Sequence, residues 1–112
     1  MIKIEMVKVN NNLESVSING HANSAEYGRD LVCAAVSVLS QGVINGMIKS
    51  LDGREDFFSL SDDGKVKIDI PKDVNDIQKI KLQALADMLE VNFADLSKTY
   101  SKYIRLEVKE VG

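Results

Sequence analysis

Residues 30–51 read DLVCAAVSVLSQGVINGMIKSL, a densely apolar stretch within a chain of 112 residues. Their length and apolar density predict a largely buried helix. Gly42, Gly46 and the abundance of valine lower the intrinsic helix propensity of this stretch, so tertiary packing must hold the helix. The fold therefore has to supply a large apolar surface for it.

Alternating residues before this helix predict a β-hairpin. Apolar and polar side chains alternate from Ile2 to Met6, and the opposite phase of Val7 and Val9 indicates a bulge or a twisted strand end. Residues 10–12 are three asparagines, which tolerate positive φ and predict a turn. A second alternating strand runs beyond this turn to Asn19.

Residues after the apolar helix predict a second ββα unit and a closing strand. Asp52-Gly53 ends the helix, and a short strand begins with residues 57–60. Residues 62–64, Asp-Asp-Gly, predict a hairpin turn before the alternation of residues 66–70, which Pro71 stops. A last alternating strand follows from Ile104 to Val108.

A second helix is indicated between Pro71 and the last strand, capped by Asp73 or Asn75. Its predicted apolar face recurs at steps of three or four residues: Ile77, Ile80, Ala84, Leu85, Met88, Leu89, Leu96 and Tyr100. The order ββαββαβ predicts one α+β domain over residues 1–112, with both helices packed on a mixed or antiparallel sheet.

Charge and composition restrict the function classes. Fourteen basic and 17 acidic residues give a net charge of −3, so we expect no direct nucleic-acid partner. No apolar run approaches the roughly 20 residues that cross a bilayer, and the first residues lack the apolar core of a secretion signal. We therefore expect a cytoplasmic protein without a membrane partner, and one free cysteine suits that reducing compartment.

One cysteine and one histidine are the candidates for thiol chemistry. His21 leaves the end of the second strand, and Cys33 falls in the first turn of the first helix if Asp30 is its N-cap. Unpaired amides and the positive end of the helix dipole favour a thiolate there. A Cys/His pair within hydrogen-bond reach performs acyl transfer without a metal or an organic cofactor.

The segment between His21 and Cys33 is predicted to be a loop from Ala22 to Arg29. Gly20 and Gly28 give it backbone freedom, and we expect it to be mobile until a peptide binds.

Plainer roles remain open for each of these residues. A lone cysteine on an apolar helix is commonly a small core residue, and a histidine at a strand end commonly faces solvent. Asp30 serves as a cap, orients His21, or does both. Ser37 lies one turn beyond Cys33, where its hydroxyl supports the site or bonds back to a helix carbonyl.

Two functions without acyl transfer also remain open. The first is a noncatalytic binding module that uses Cys33 for packing. The second is a redox sensor, although the chain has no second cysteine to resolve a sulfenic acid.

Two stretches resemble a known family. Residues 20–22, Gly-His-Ala, and residues 26–37, Glu-Tyr-Gly-Arg-Asp-Leu-Val-Cys-Ala-Ala-Val-Ser, are similar to the signature of the bacterial ribosomal-processing cysteine protease family, Prp. Residues 100–106, Tyr-Ser-Lys-Tyr-Ile-Arg-Leu, are similar to the end of its helix and last strand. The ββαββαβ order extends the resemblance over the whole chain.

The resemblance implies a cytoplasmic cysteine endopeptidase with Cys33 as nucleophile and His21 as base. Its implied substrate is the short N-terminal extension of large-subunit ribosomal protein twenty-seven, removed during ribosome maturation. The resemblance also implies an apolar cleft beside the pair, and a homodimer. If Cys33 serves only for packing, the alternative is a noncatalytic ribosome-associated module that binds an apolar peptide.

Overall fold

The computed structural model describes the backbone of residues 1–20 and 27–112 and the side chains of residues 1–20 and 31–112. Over these residues the chain forms five strands and two helices in the predicted ββαββαβ order. They are β1 (Ile2–Val9), β2 (Asn12–Asn19), α1 (Tyr27–Ser50), β3 (Phe58–Leu60), β4 (Val66–Asp69), α2 (Asp76–Thr99) and β5 (Ile104–Val111).

The strands form a mixed sheet in the order β3-β4-β2-β1-β5. β1 pairs with β5 in parallel, whereas the β1–β2, β2–β4 and β3–β4 pairs are antiparallel. The register aligns Met6 with Val16 and Val16 with Ile68, so their buried side chains form one row across the sheet. The predicted α+β class and mixed sheet are confirmed.

The first hairpin follows the alternation predicted for it. Its turn places Asn10 at φ 51° and Asn11 at φ 67°, the left-handed region that asparagine tolerates. The register of β1 against β2 shifts between Val7 and Lys8, which is the predicted bulge.

The first helix begins one turn earlier than the sequence predicts. α1 starts at Tyr27, so Asp30 is its fourth residue and the prediction of Asp30 as N-cap is wrong. Gly28 likewise belongs to α1, not to the preceding loop. Once a helix is nucleated, each further residue adds a hydrogen bond, and this outweighs the weak helix propensity of one glycine.

The end of α1 agrees with the prediction. The Gly53 amide donates to the carbonyl of Ile48 at 2.9 Å, and the Asp52 amide donates to Lys49 at 3.2 Å. Asp52 and Gly53 both have positive φ, at 55° and 94°. This is a Schellman ending, and it satisfies carbonyls that the helix itself leaves unpaired.

Leu31–Ser50 is long and apolar enough to cross a membrane by length and composition, so the expectation that no segment reaches that length was wrong. Such a helix is weak evidence for a membrane, because core helices have the same composition. Here Val36, Val43 and Met47 are fully buried in the core beneath the helix.

The second helix is capped by Asn75, one of the two predicted residues. The Asn75 side chain accepts from the Gln78 amide at 2.8 Å, and the Gln78 side chain accepts from the Asn75 amide at 3.1 Å. This reciprocal pair is a capping box. The other candidate, Asp73, instead pairs with Arg54 at 3.0 Å.

The predicted apolar face of α2 is only partly correct. The row that packs into the core is Leu82, Ala86, Leu89 and Phe93. Ile77, Ile80 and Met88, which the periodicity assigned to the core, are 66%, 71% and 45% exposed. The helix is apolar on two opposite sides, and spacing alone does not tell which side meets the sheet.

Both helices leave apolar side chains on the surface that faces away from the sheet. We call this surface the outer helix face. It comprises Leu31, Ala34 and Val38 of α1 and Ile77, Ile80, Ala84, Met88 and Val91 of α2. Gly46 of α1 lies against Leu85 of α2, where an added Cβ would meet the Leu85 side chain at 3.0 Å, so the helices approach closely here.

Candidate active site

Cys33 lies on the side of α1 that faces the core. It is 8% exposed and belongs to the core cluster together with Val32 and Val36. It is a free thiol. A small part of the side chain is accessible, so this position combines the packing role of a buried cysteine with limited access for a substrate.

The corrected start of α1 changes the electrostatics expected at Cys33. Cys33 is the seventh residue of the helix, not the third. The positive field of a helix N-terminus falls off within the first turn, and the unpaired amides belong to the first four residues. The helix start is therefore a weaker source of thiolate stabilisation than the sequence predicts, and a thiolate here depends more on an imidazolium partner.

Gly20 holds the end of β2 tightly against the start of β1. Its φ is +86°, and a Cβ built on it would lie 2.5 Å from the carbonyl oxygen of Met1. The Ile2 amide at the same edge donates to Tyr103 at 2.8 Å. Only glycine fits this backbone and this close approach, so Gly20 fixes the point from which the chain continues to His21.

His21 and Ala22 lie outside the described residues, as do residues 23–26, and the side chain of Asp30 is not described. The His21–Cys33 pair, the supporting role of Asp30 toward the imidazole and the mobility of the loop stay predictions.

Two serines lie within two helical turns after Cys33 on α1. Ser37, the predicted supporting residue, is half-buried. Ser40 is 4% exposed, and its hydroxyl donates to the carbonyl of Val36 at 2.8 Å and lies 3.2 Å from that of Ser37. The sequence analysis missed Ser40, although a serine inside an apolar helix predicts this bond to the preceding turn. Its contacts give it a structural role.

The described side chains do not form a metal site. Within residues 1–20 and 31–112, no three His, Cys, Asp or Glu side chains lie together in a way that could hold an ion.

Sequence comparison identifies related proteins. The family model described as "Cysteine protease Prp" matches residues 1–105. The ribosomal processing cysteine protease Prp of Bacillus subtilis (strain 168) is 31% identical over 93 residues, which cover 82% of this chain and 82% of that protein. The family resemblance predicted from the central motif is confirmed.

Structural comparison leads to the same group. The Prp protease of S. aureus in complex with a substrate peptide has a TM-score of 0.79 and 25% identity, covering 97% of this chain and 100% of that chain. The S. aureus protease with a covalently linked product peptide has a TM-score of 0.77 and 27% identity, with the same coverage. A covalent link to a product is what nucleophilic catalysis leaves on an enzyme.

Proposed function

Because this chain belongs to the cysteine protease Prp family and is a cysteine peptidase, we propose that it removes the N-terminal extension of large-subunit ribosomal protein twenty-seven during ribosome maturation. The observation that carries the proposal is the covalently linked product peptide in the S. aureus protease, to which this chain is similar over nearly its whole length. The ribosomal role follows the name of the Bacillus subtilis relative. Ribosome assembly places the reaction in the cytoplasm.

The proposed mechanism uses Cys33 and His21. The Cys33 sulfur attacks the scissile carbonyl carbon, while backbone amides hold the negatively charged oxygen. The carbon–nitrogen bond breaks, and protonated His21 gives its proton to the departing amine. Water then adds to the thioester, His21 accepts a proton from it, and the acid leaves as the thiol is restored.

Membership of a protease family disfavours the noncatalytic module and the redox sensor. Both treat Cys33 as a residue without a role in peptide hydrolysis.

The substrate is tested with the precursor of ribosomal protein twenty-seven. We expect the full chain to shorten the precursor at one bond, as measured by intact mass and by sequencing of the new N-terminus. The mature protein without its extension, and a precursor with a scrambled extension, serve as controls and should stay intact. Equal cleavage of the scrambled precursor, or an uncut natural precursor, would contradict this substrate.

The outer helix face supports the homodimer that the family resemblance implies. Val38, Ile80 and Val91 are 73%, 71% and 67% exposed. α1 carries no charged residue from Leu31 to Ile48, although part of this stretch faces solvent. Large exposed apolar surfaces commonly mark protein interfaces. We therefore assign the outer helix face to contact with a second copy of this chain.

A charge on the outer helix face tests the dimer. Val38→Glu should convert a dimer to a monomer at micromolar concentration, because the carboxylate would be buried without a partner. Analytical ultracentrifugation gives the mass, and circular dichroism verifies the helix content. Lys67→Glu, an exposed position on β4, is the matched control and should remain dimeric. A monomeric unmodified protein, or a dimeric Val38→Glu, would refute this interface.

A further inference from the structure

A cavity of about 280 Å³ lies at the end of the sheet where β2 begins. It is lined by Leu13 at the start of β2, whereas Gly20, from which the chain leads to His21, follows the end of the same strand. Seven strand residues separate the two ends by roughly 23 Å. This cavity is therefore distinct from the peptide site proposed at Cys33.

The interior of the cavity is apolar. Leu13, Ile70, Val74 and Leu82 line it. Leu13 and Leu82 are almost completely buried, so they form a closed floor, and Ile70 and Val74 are half-buried walls. A surface of this kind accepts an aliphatic or aromatic side chain.

Gln83 brings an unsatisfied acceptor to the cavity. Its Nε2 lies 3.5 Å from the carbonyl oxygen of Leu13, which orients the amide. Its Oε1 is buried and has no hydrogen-bond partner. Among the side chains of residues 1–20 and 31–112, no other buried oxygen or nitrogen lacks a partner. Buried acceptors are normally paired, because the unpaired state is unfavourable. Gln83 thus calls for an N–H or O–H donor from a ligand.

Lys79 supplies a positive charge at the same cavity. It lies four residues before Gln83 on α2, so the two side chains share one side of the helix. Lys72, also at the cavity, is paired with Glu14 at 2.7 Å. Lys79 makes no ion pair with the described residues. Its ammonium group can therefore pair with an anionic group of a ligand.

We propose that this cavity binds the C-terminal residue of a peptide that ends in an apolar side chain. The side chain enters the apolar interior, the backbone N–H donates to Gln83 Oε1, and the free carboxylate pairs with Lys79. Gln83 and Lys79 lie one helical turn apart on the same side of α2, so one ligand residue can contact both long side chains. Peptide-bond hydrolysis creates such an end in every turnover, so the ligand is a cleavage product.

Titration of the isotope-labelled full chain with N-acetyl-leucine tests the site. Amide shifts in a two-dimensional nitrogen–proton spectrum should move for Leu13, Ile70 and Gln83, with a dissociation constant on the order of 1 mM for so small a ligand. N-acetyl-leucinamide, which lacks the carboxylate, should bind at least about tenfold more weakly. Equal binding of the amide, no shift changes at these residues, or changes confined to the Gly20 and Cys33 region would overturn the proposal.

Two variants separate ligand binding from folding. Lys79→Gln and Gln83→Met should each weaken N-acetyl-leucine binding at least about tenfold, whereas Lys67→Gln on β4 should leave it unchanged. Gln83→Met should change the melting temperature little, because it removes a buried acceptor that has no donor together with only one long bond, 3.5 Å, to the Leu13 carbonyl. Unchanged binding in both variants would overturn the assigned contacts.

Discussion

Cys33→Ala should reduce peptide cleavage by a factor on the order of 10⁴ or more, because it removes the sulfur that forms the thioester. The change deletes one atom from a side chain that is 8% exposed, so the fold should persist. Cleavage is measured as initial rate on the extension peptide, and the free energy of unfolding by urea titration. Lys49→Ala, an exposed position near the end of the same helix, should keep the full rate.

Mass spectrometry distinguishes a catalytic role of Cys33 from a packing role, because only a nucleophile acquires a covalent acyl group. Rapid acid quenching should trap a peptide acyl group on the unmodified protein, located on Cys33 after digestion, and Cys33→Ala should carry none. His21→Ala should slow cleavage by a factor of about 10²–10⁴, the usual contribution of a general base. Cleavage retained by Cys33→Ala, or an unaffected rate in His21→Ala, would remove the corresponding residue from the mechanism.

Gly20→Ala should lower the free energy of unfolding by about 2 kcal/mol or more. The residue has φ +86°, and its new Cβ would lie 2.5 Å from the Met1 carbonyl oxygen, so the ends of β1 and β2 must separate. Cleavage should fall as well, because His21 follows directly. Urea titration and the initial rate measure the two effects.

Gly42→Ala is the matched control for this substitution. Gly42 lies inside α1, and an added Cβ would meet no atom within 4 Å. Alanine is the better helix former by roughly 0.5–1 kcal/mol, so this variant should be as stable as the original protein or more so. A Gly20→Ala variant as stable as Gly42→Ala would show that the ends of β1 and β2 tolerate the side chain.

Two expectations about the site changed for physical reasons. The N-cap preference of aspartate favoured Asp30, yet α1 begins at Tyr27. Extending a helix adds hydrogen bonds, which the N-cap preference of a single residue does not include. Cys33 consequently lies deeper in the helix, and the proposed mechanism relies on His21 more than on the helix terminus. The apolar residues of α2 similarly lie on two opposite faces of the helix, and only packing against the sheet shows which face is buried.

The amino-acid sequence alone determined the elements, their order and the chemical candidates. Alternation in β1, the Asn10–Asn11 turn and the Asp52-Gly53 ending act over a few residues, so local pattern suffices to predict them. The spacing of His21 and Cys33 within the central motif is likewise a property of the chain.

Only the tertiary structure decided the order of the strands, which face of α2 is buried, and why residue 20 must be glycine. Each of these depends on residues distant in sequence, such as Gly20 against Met1 or Gly46 against Leu85. Such contacts depend on how the apolar surface of the whole chain is buried. A pattern of neighbouring residues does not contain that information.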